Sequence, residues 1–321
     1  MAKSLSQQVC GVWAASRILR ISQSRFADKA DVRDQLRVAG IGATAARIAE
    51  HTPIASYRTY SAYKSVSLSF AHFAAEQGVQ RVQDLRPKHA EAFLRERLAA
   101  GCSCNTMRTY AAALGKFDVA LGRAPRSMRI PEAARLSPGV EAVRVEYNRT
   151  APRLDQARRA YAAPCAVVLV VRDEGHRLAA RLQLVAGFRA SEVLGLNRGS
   201  LRGETLDSVT GRAGGLVFVK GKGGFGRTQF VPVEDYRALS NHLDAHKGGM
   251  GVSYKAYLAD LHRAADATGE VWAGTHALRH NYARSFLVEA AGAGLRTDAA
   301  MKETMERMGH HRISEVRTYT R

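Results

Sequence analysis

Acidic residues are the scarce component of this chain. Its 321 residues include 29 Asp and Glu against 48 Lys and Arg, a net charge of +19 with histidine neutral. Self-repulsion on that scale opposes a compact state unless a polyanion sits against the surface. Nucleic acid is the first partner this suggests, and a membrane surface the second. Cysteine is also sparse. Cys10, Cys102, Cys104 and Cys165 are too few and too irregular for a disulfide framework, and the one-residue gap between Cys102 and Cys104 is not a usual zinc spacing. Reduced thiols in a cytoplasmic setting are the simplest expectation. No apolar run approaches the length of a membrane span. The stretch around Val9 to Ala15 lacks the apolar core and small-residue cleavage site of a signal peptide. A soluble protein with no membrane partner is therefore expected. Internal repeats and low-complexity tracts are absent as well.

The hydrophobic share of 46% is enough for a packed core, and the length suggests two domains. Residues 1–50 form a basic N-terminal extension carrying Arg17, Arg20, Arg25, Lys29, Arg33 and Arg37, with short helices over 30–38 and 44–50. It reads equally as a solvated extension or as an arm that touches nucleic acid. Residues 51–122 read as an all-helical domain. Pro53 suits a first helical turn. Tyr60, Tyr63, Phe70 and Phe73 recur at helix-face spacing and belong to a core. A second helix follows Pro87. A third, over 105–121, carries Met107, Tyr110, Leu114, Phe117 and Leu121 three and four residues apart, the strongest helical period in the chain. Arg58, Lys64, Arg95, Arg108 and Lys116 lie on the polar faces of this helical domain. Such faces are commonly just solvated, but with this net charge they are candidate phosphate contacts.

Residues 123–152, punctuated by Pro125, Pro131, Pro138 and Pro152, read as a linker. From 153 to the end, helices are expected over 152–161, 173–187 and 192–196, the last capped by Ser191. Then comes the one clear strand signal. Leu216–Val219 and Thr228–Val231 flank a glycine-rich turn over 221–226, a β-hairpin. Helices return over 235–246, 253–267, 275–290 and 297–308. The fold class is thus mainly α with a small β-hairpin or sheet.

Chemistry-bearing residues concentrate late in the chain. Arg189 follows a helix break, with Glu192 positioned to orient its planar fork towards a phosphate; alone, this is a common surface arrangement. Lys222 stands in the hairpin turn, with Lys220 as a rival. Either is a solvated turn lysine or a proton donor. The turn lacks the Gly-Lys-Ser/Thr ending of a nucleotide phosphate loop. His276 and Arg279 share a helix face and can grip one phosphate together, while His280 points elsewhere. No glutamate accompanies the His276–His280 spacing, so the zinc-protease pattern is absent. Gly309 ends a helix before His310, and Tyr319 follows nine positions later.

In order, Ala186-Gly187-Phe188-Arg189-Ala190-Ser191-Glu192, Lys222 between two glycines, His276-Ala277-Leu278-Arg279-His280, and Met308-Gly309-His310 leading to Tyr319 resemble the tyrosine recombinase (phage integrase) family. The resemblance spans 153–321 as an α+β catalytic domain, and the helical stretch looks like the family's core-binding domain. It implies a clamp around DNA in which Tyr319 attacks the scissile phosphate and forms a 3′-phosphotyrosine. It also implies that Arg189 and Arg279 hold the non-bridging oxygens and that His276 and His310 add hydrogen bonds. Lys222 becomes the general acid for the leaving 5′-oxygen, and Glu192 an organiser behind Arg189. No metal or cofactor is expected, since the covalent link conserves the phosphodiester energy. The partner implied is double-stranded DNA with a specific recombination site, engaged by a tetramer on two sites.

Two features depart from the family pattern. The stretch between Arg279 and His310 is long. The sequence also stops at Arg321, two residues after Tyr319, where many members carry a tail that docks into a neighbouring protomer. Protomer contact through 1–50 or other helices is the expectation that follows. The alternatives of a type IB topoisomerase-like enzyme and of an inactive DNA-binding protein on the same scaffold fit the spacing and the intact residue set less well.

Overall fold

The computed structural model describes residues 3–21, 25–153, 159–221 and 226–309. The chain divides into two compact units, Met1–Leu154 and Asp155–Arg321.

The first unit is helical. Its framework is α1 (Leu5–Ala15), α2 (Arg25–Val38), α3 (Ala45–His51), α4 (Tyr57–Glu76), α5 (Pro87–Ala99), α6 (Cys104–Gly122) and α7 (Ser137–Thr150). Local chemistry sets several starts. The side chains of Ser56 and Ser103 accept from the amides of Thr59 and Thr106, satisfying donors that the first helical turn leaves over. Pro87 opens α5, where its missing N–H costs nothing. The core holds Phe70, Phe93, Met107, Leu114 and Phe117, as the helical period requires.

Two stretches differ from the sequence reading. Helix α1 is not a solvated extension: Val9, Val12 and Trp13 are fully or nearly fully buried, and Trp13 meets Tyr60 edge-on at 5.3 Å and Phe117 in a stack at 6.1 Å. The stretch 123–152 is not only a linker, since α7 buries Val140, Val143 and Tyr147 in the same core. Pro125 and Pro131 precede the helix, Pro138 stands in its first turn, and Pro152 follows its end. Helices α2 and α3 carry a separate small cluster of Val32, Leu36 and Ile48.

The second unit contains α8 (Pro164–Leu169), α9 (Glu174–Ala186), α10 (Ala190–Leu194), α11 (Val233–Ala245), α12 (Tyr254–Ala267), α13 (His276–Gly292) and α14 (Thr297–Arg307). An antiparallel sheet β1-β2-β3 is formed by Leu201–Leu206, Ala213–Lys220 and Gly226–Pro232. The expected hairpin is β2 and β3, in register from Gly214 opposite Pro232 to Lys220 opposite Gly226. Strand β1 is an addition that the sequence did not signal. It is exposed along nearly its whole length, so it carries no burial alternation to read. The core centres on Leu182, Phe188, Leu239, Tyr257 and Leu278, fully buried around α9. The expected helix over 152–161 falls largely on residues outside those described.

Candidate functional site

The site is built at the C-terminal end of α9. Asp173 starts this helix by accepting from the His176 amide at 2.9 Å, and Gly187 ends it in the left-handed conformation at φ 64°. Reversal there brings Arg189 to the start of α10. Arg189, not Ser191, is the residue that caps α10, which begins two positions earlier than the sequence suggested. The reason is Glu192. Its Oε2 accepts from the Arg189 amide at 2.8 Å, so the side chain three residues on does the capping.

Glu192 is the buried hub, with 1% of its side chain exposed. Oε1 accepts from Arg189 Nη1 at 2.5 Å and from Arg227 Nη1 at 2.8 Å, and Oε2 accepts from Arg227 Nη2 at 2.8 Å. Burial by itself would raise the carboxyl's pKa. The hydrogen bonds and charge of Arg227, with those of Arg189, outweigh burial and push it down to about 2. Arg227 went unnoticed in the sequence. A signal did exist: in β3 it shares the inward register of buried Gln229 and Val231, where an arginine requires a partner.

Arg279 is fully buried on α13. It donates through Nη1 to the carbonyl of Gly187 and through Nη2 to that of Met308. Arg227 Nε in turn donates to the carbonyl of Arg307 at 3.0 Å. Arg189, Glu192, Arg227, the end of α14, Arg279 and Gly187 thus close a ring. Arg307 secures the α14 side of it. Its guanidinium grips buried Asp207 at 2.6 and 3.0 Å and Glu303 at 2.9 Å, and lies 4.3 Å over the Phe286 ring.

His276 is exposed at the first position of α13, whereas Arg279, three residues on, is enclosed rather than beside it in solvent. The His276 ring instead meets that of buried His280 edge-on at 5.2 Å. Burial, then the positive surroundings of His276, Arg159, Arg284 and Arg279, pushes the His280 pKa down to about 3. A histidine kept neutral in the fold but free to protonate when unfolded stabilises fully above its ordinary pKa near 6.5. That stability drains as pH falls from there towards 3. We expect wild type to lose roughly 2 kcal/mol more than a His280→Phe variant between pH 6.5 and 5, read by urea denaturation. Equal slopes for the two proteins would refute this.

Lys220, at the end of β2, is exposed and lines with Glu192, Asn197, Ser200 and Arg202 an open cleft of about 360 Å³. Lys222, His310 and Tyr319 lie outside the described residues.

In the first unit the candidate DNA contacts separate. Arg58 is exposed and Lys64 half-buried. Arg95 is divided between Glu91, at 3.0 Å, and Glu146. Arg108 donates to Asn148 Oδ1 at 3.1 and 2.8 Å. Lys116 requires correction as a phosphate contact. It turns inward and donates to the carbonyls of Ala49 and, at 2.5 Å, Thr52, closing the end of α3. Burial, with Arg123 acting in the same direction, pushes its pKa down to about 8 against the pull of Glu50.

No family model and no curated protein sequence matches this chain. Solved structures do. The XerH site-specific recombinase bound to difH substrate, in a pre-cleavage complex, superposes with a TM-score of 0.61 at 16% identity, covering 100% of this chain and 94% of that one. A lambda integrase dimer bound to a COC′ core site gives 0.56 at 14% identity, over 93% and 77%. The Tn1549 transposon integrase with transposon right end DNA gives 0.53 at 14% identity, over 98% and 95%. The chain therefore has the fold of the tyrosine recombinases, as the order of its motifs implied. Among the described residues no helix is long and apolar enough to cross a membrane.

Proposed function

We propose that the protein is a site-specific DNA recombinase that cleaves and rejoins DNA through a 3′-phosphotyrosine intermediate. The observation that carries this is the ring at the end of α9. Among the described residues, it sets two guanidinium groups, Arg189 and Arg227, on the carboxylate of Glu192 and ties a third, Arg279, to the carbonyls of Gly187 and Met308 that close the ring. Such a cluster keeps an excess of positive charge and is suited to an anion.

A quarter of the Arg189 side chain stays exposed while Nη1 is held by a buried carboxylate, so the residue is fixed in place at the edge of solvent. Charge that builds on the non-bridging oxygens of an attacked phosphate is then met by Arg189 without reorganisation, with Arg279 locked behind it. His276 stands exposed three residues before Arg279, where an imidazole can hydrogen-bond the phosphate or take a proton from the nucleophile. In this reading Tyr319 is the nucleophile, His310 a further hydrogen-bond donor, and Lys222 the acid for the 5′-oxygen, with Lys220 as its rival. The phosphodiester bond breaks as the tyrosyl ester forms, and the freed 5′-hydroxyl of a partner strand reverses the step. The substrate is double-stranded DNA bearing a recombination site, with a tetramer assembling on two sites. Arg58 supplies phosphate contact from the first unit.

A duplex nicked beside the cleavage position tests this, because the short 5′ fragment diffuses away and strands the intermediate. Wild type is expected to accumulate a covalent protein–DNA adduct that maps to Tyr319, and Tyr319→Phe to form none. Binding without capture by wild type would leave only a DNA-binding protein. Capture with plasmid relaxation but no exchange between sites would indicate a topoisomerase-like enzyme.

A further inference from the structure

We propose that Arg227 is a positioning residue for DNA cleavage, holding Glu192 so that Arg189 is presented to the phosphate and the end of α14 is held to the same frame. The proposal rests on the recombinase reading above.

Glu192 can accept four hydrogen bonds, two at each oxygen. Arg189 supplies one to each oxygen, from its amide and from Nη1, and Arg227 supplies the other two at 2.8 Å each. The carboxylate is therefore saturated. With Arg227 removed, a carboxylate almost without solvent would lean on Arg189 alone, and the Arg189 fork would be drawn inwards. Keeping the Arg189 side chain at its partly exposed position depends on a second cation sharing the load.

The same guanidinium reaches two further places. Nε donates to the carbonyl of Arg307 in the last turn of α14. Its flank lies against Gly309, where a Cβ would stand 3.1 Å from Arg227 Cδ. Gly309 is also left-handed at φ 60°, so both its conformation and its neighbour favour glycine. On its own strand Arg227 follows Gly226, the residue paired with Lys220 across the hairpin. One side chain, 12% exposed, thus joins the root of the lysine-bearing hairpin, the start of α10 and the chain just before His310. These three places contribute the candidate catalytic groups Lys222, Arg189 and His310.

Arginine is required by shape as well as charge. Two parallel N–H groups meet the carboxylate while Nε points at the carbonyl, a fixed fork that an ammonium cannot reproduce. Lysine keeps the charge and loses the geometry.

The test uses the full chain on the nicked duplex in single turnover, with DNA affinity and thermal melting recorded for each variant. Arg227→Gln is expected to slow adduct formation about 100-fold, the scale of a misplaced catalytic group, with DNA affinity within about threefold of wild type. Arg227→Lys is expected to recover part of that rate. Glu192→Gln combined with Arg227→Gln is expected to be no slower than the worse single variant, because groups acting as one unit are not additive. The pH–rate profile of Arg227→Gln should also gain an acid limb at higher pH, as Glu192 loses the partner that keeps it ionised. Wild-type rates in a folded Arg227→Gln protein, a loss no larger than its unfolded fraction at the assay temperature, or multiplying losses in the double variant would each overturn the proposal. In those cases wild type still forms the adduct. Absence of adduct from wild type would instead overturn the recombinase reading and the proposal with it.

Discussion

Arg279→Ala is expected to destabilise the second unit by roughly 3–5 kcal/mol and to abolish adduct formation. The stability loss has a specific origin. The guanidinium is completely buried and donates to the carbonyls of Gly187 and Met308, residues at the ends of two different helices. Truncation strips both carbonyls of these donors in a place water does not reach and opens a cavity the length of the side chain. Gly187 is two residues from Arg189, so the ring also loses the strut that sets where α9 stops. Denaturation of the wild type, Arg279→Ala and Arg279→Lys checks this, with the lysine variant intermediate. An unchanged midpoint for Arg279→Ala would show that the buried bonds contribute nothing. Much of the DNA affinity is expected to survive wherever the protein remains folded, because phosphate contacts elsewhere dominate it. The residue thus combines an architectural role with a chemical one, and activity loss alone would not separate them.

Gly187→Ala is expected to cost about 3 kcal/mol and to slow adduct formation about 100-fold. Two penalties combine. At φ 64° any residue with a Cβ is strained by about 1 kcal/mol. The added methyl would also stand 2.2 Å from Tyr282 Cδ1. Tyr282 cannot withdraw cheaply. It is buried, its hydroxyl accepts from Gln229 Nε2 at 3.0 Å, and its ring stacks on Phe286 at 5.8 Å. Phe286 lies under Arg307, so the displacement reaches α14. Gly211 provides the control. It is left-handed at φ 68° with nothing within 4 Å of where a Cβ would be, so Gly211→Ala should cost only about 1 kcal/mol. Equal losses at the two positions would show that backbone strain, not the Tyr282 contact, makes Gly187 sensitive.

Much of this architecture could be read before any coordinates. The periodic stretch over 105–121 became α6, Cys104–Gly122, because Met107, Leu114, Phe117 and Leu121, buried, and Tyr110, partly buried between them, fit one face of a helix. The hairpin was legible from two β-rich runs around a glycine turn. Helix α1 was missed although Leu5, Val9, Val12 and Trp13 follow the same spacing, because it is short and interrupted by Gly11. Strand β1 could not be seen, since its order comes from pairing with β2 rather than from its own side chains.

The site divides along the same line. Sequence order alone marked Arg189, Glu192, His276 and Arg279, because each stands in a short motif whose members are helical or turn neighbours. It also marked Lys222, His310 and Tyr319. What it could not reveal was that Arg279 is enclosed and tied to Gly187 and Met308, that Lys116 caps α3, or that Arg227 completes the coordination of Glu192. Periodicity and capping are encoded within a turn or two of chain. Arg227 and Glu192 are 35 positions apart, and Arg279 and Gly187 are 92 apart. Which of many arginines reaches which buried carboxylate or carbonyl is settled only when the helices and sheet pack and exclude water, leaving each polar group to find its partner inside the fold.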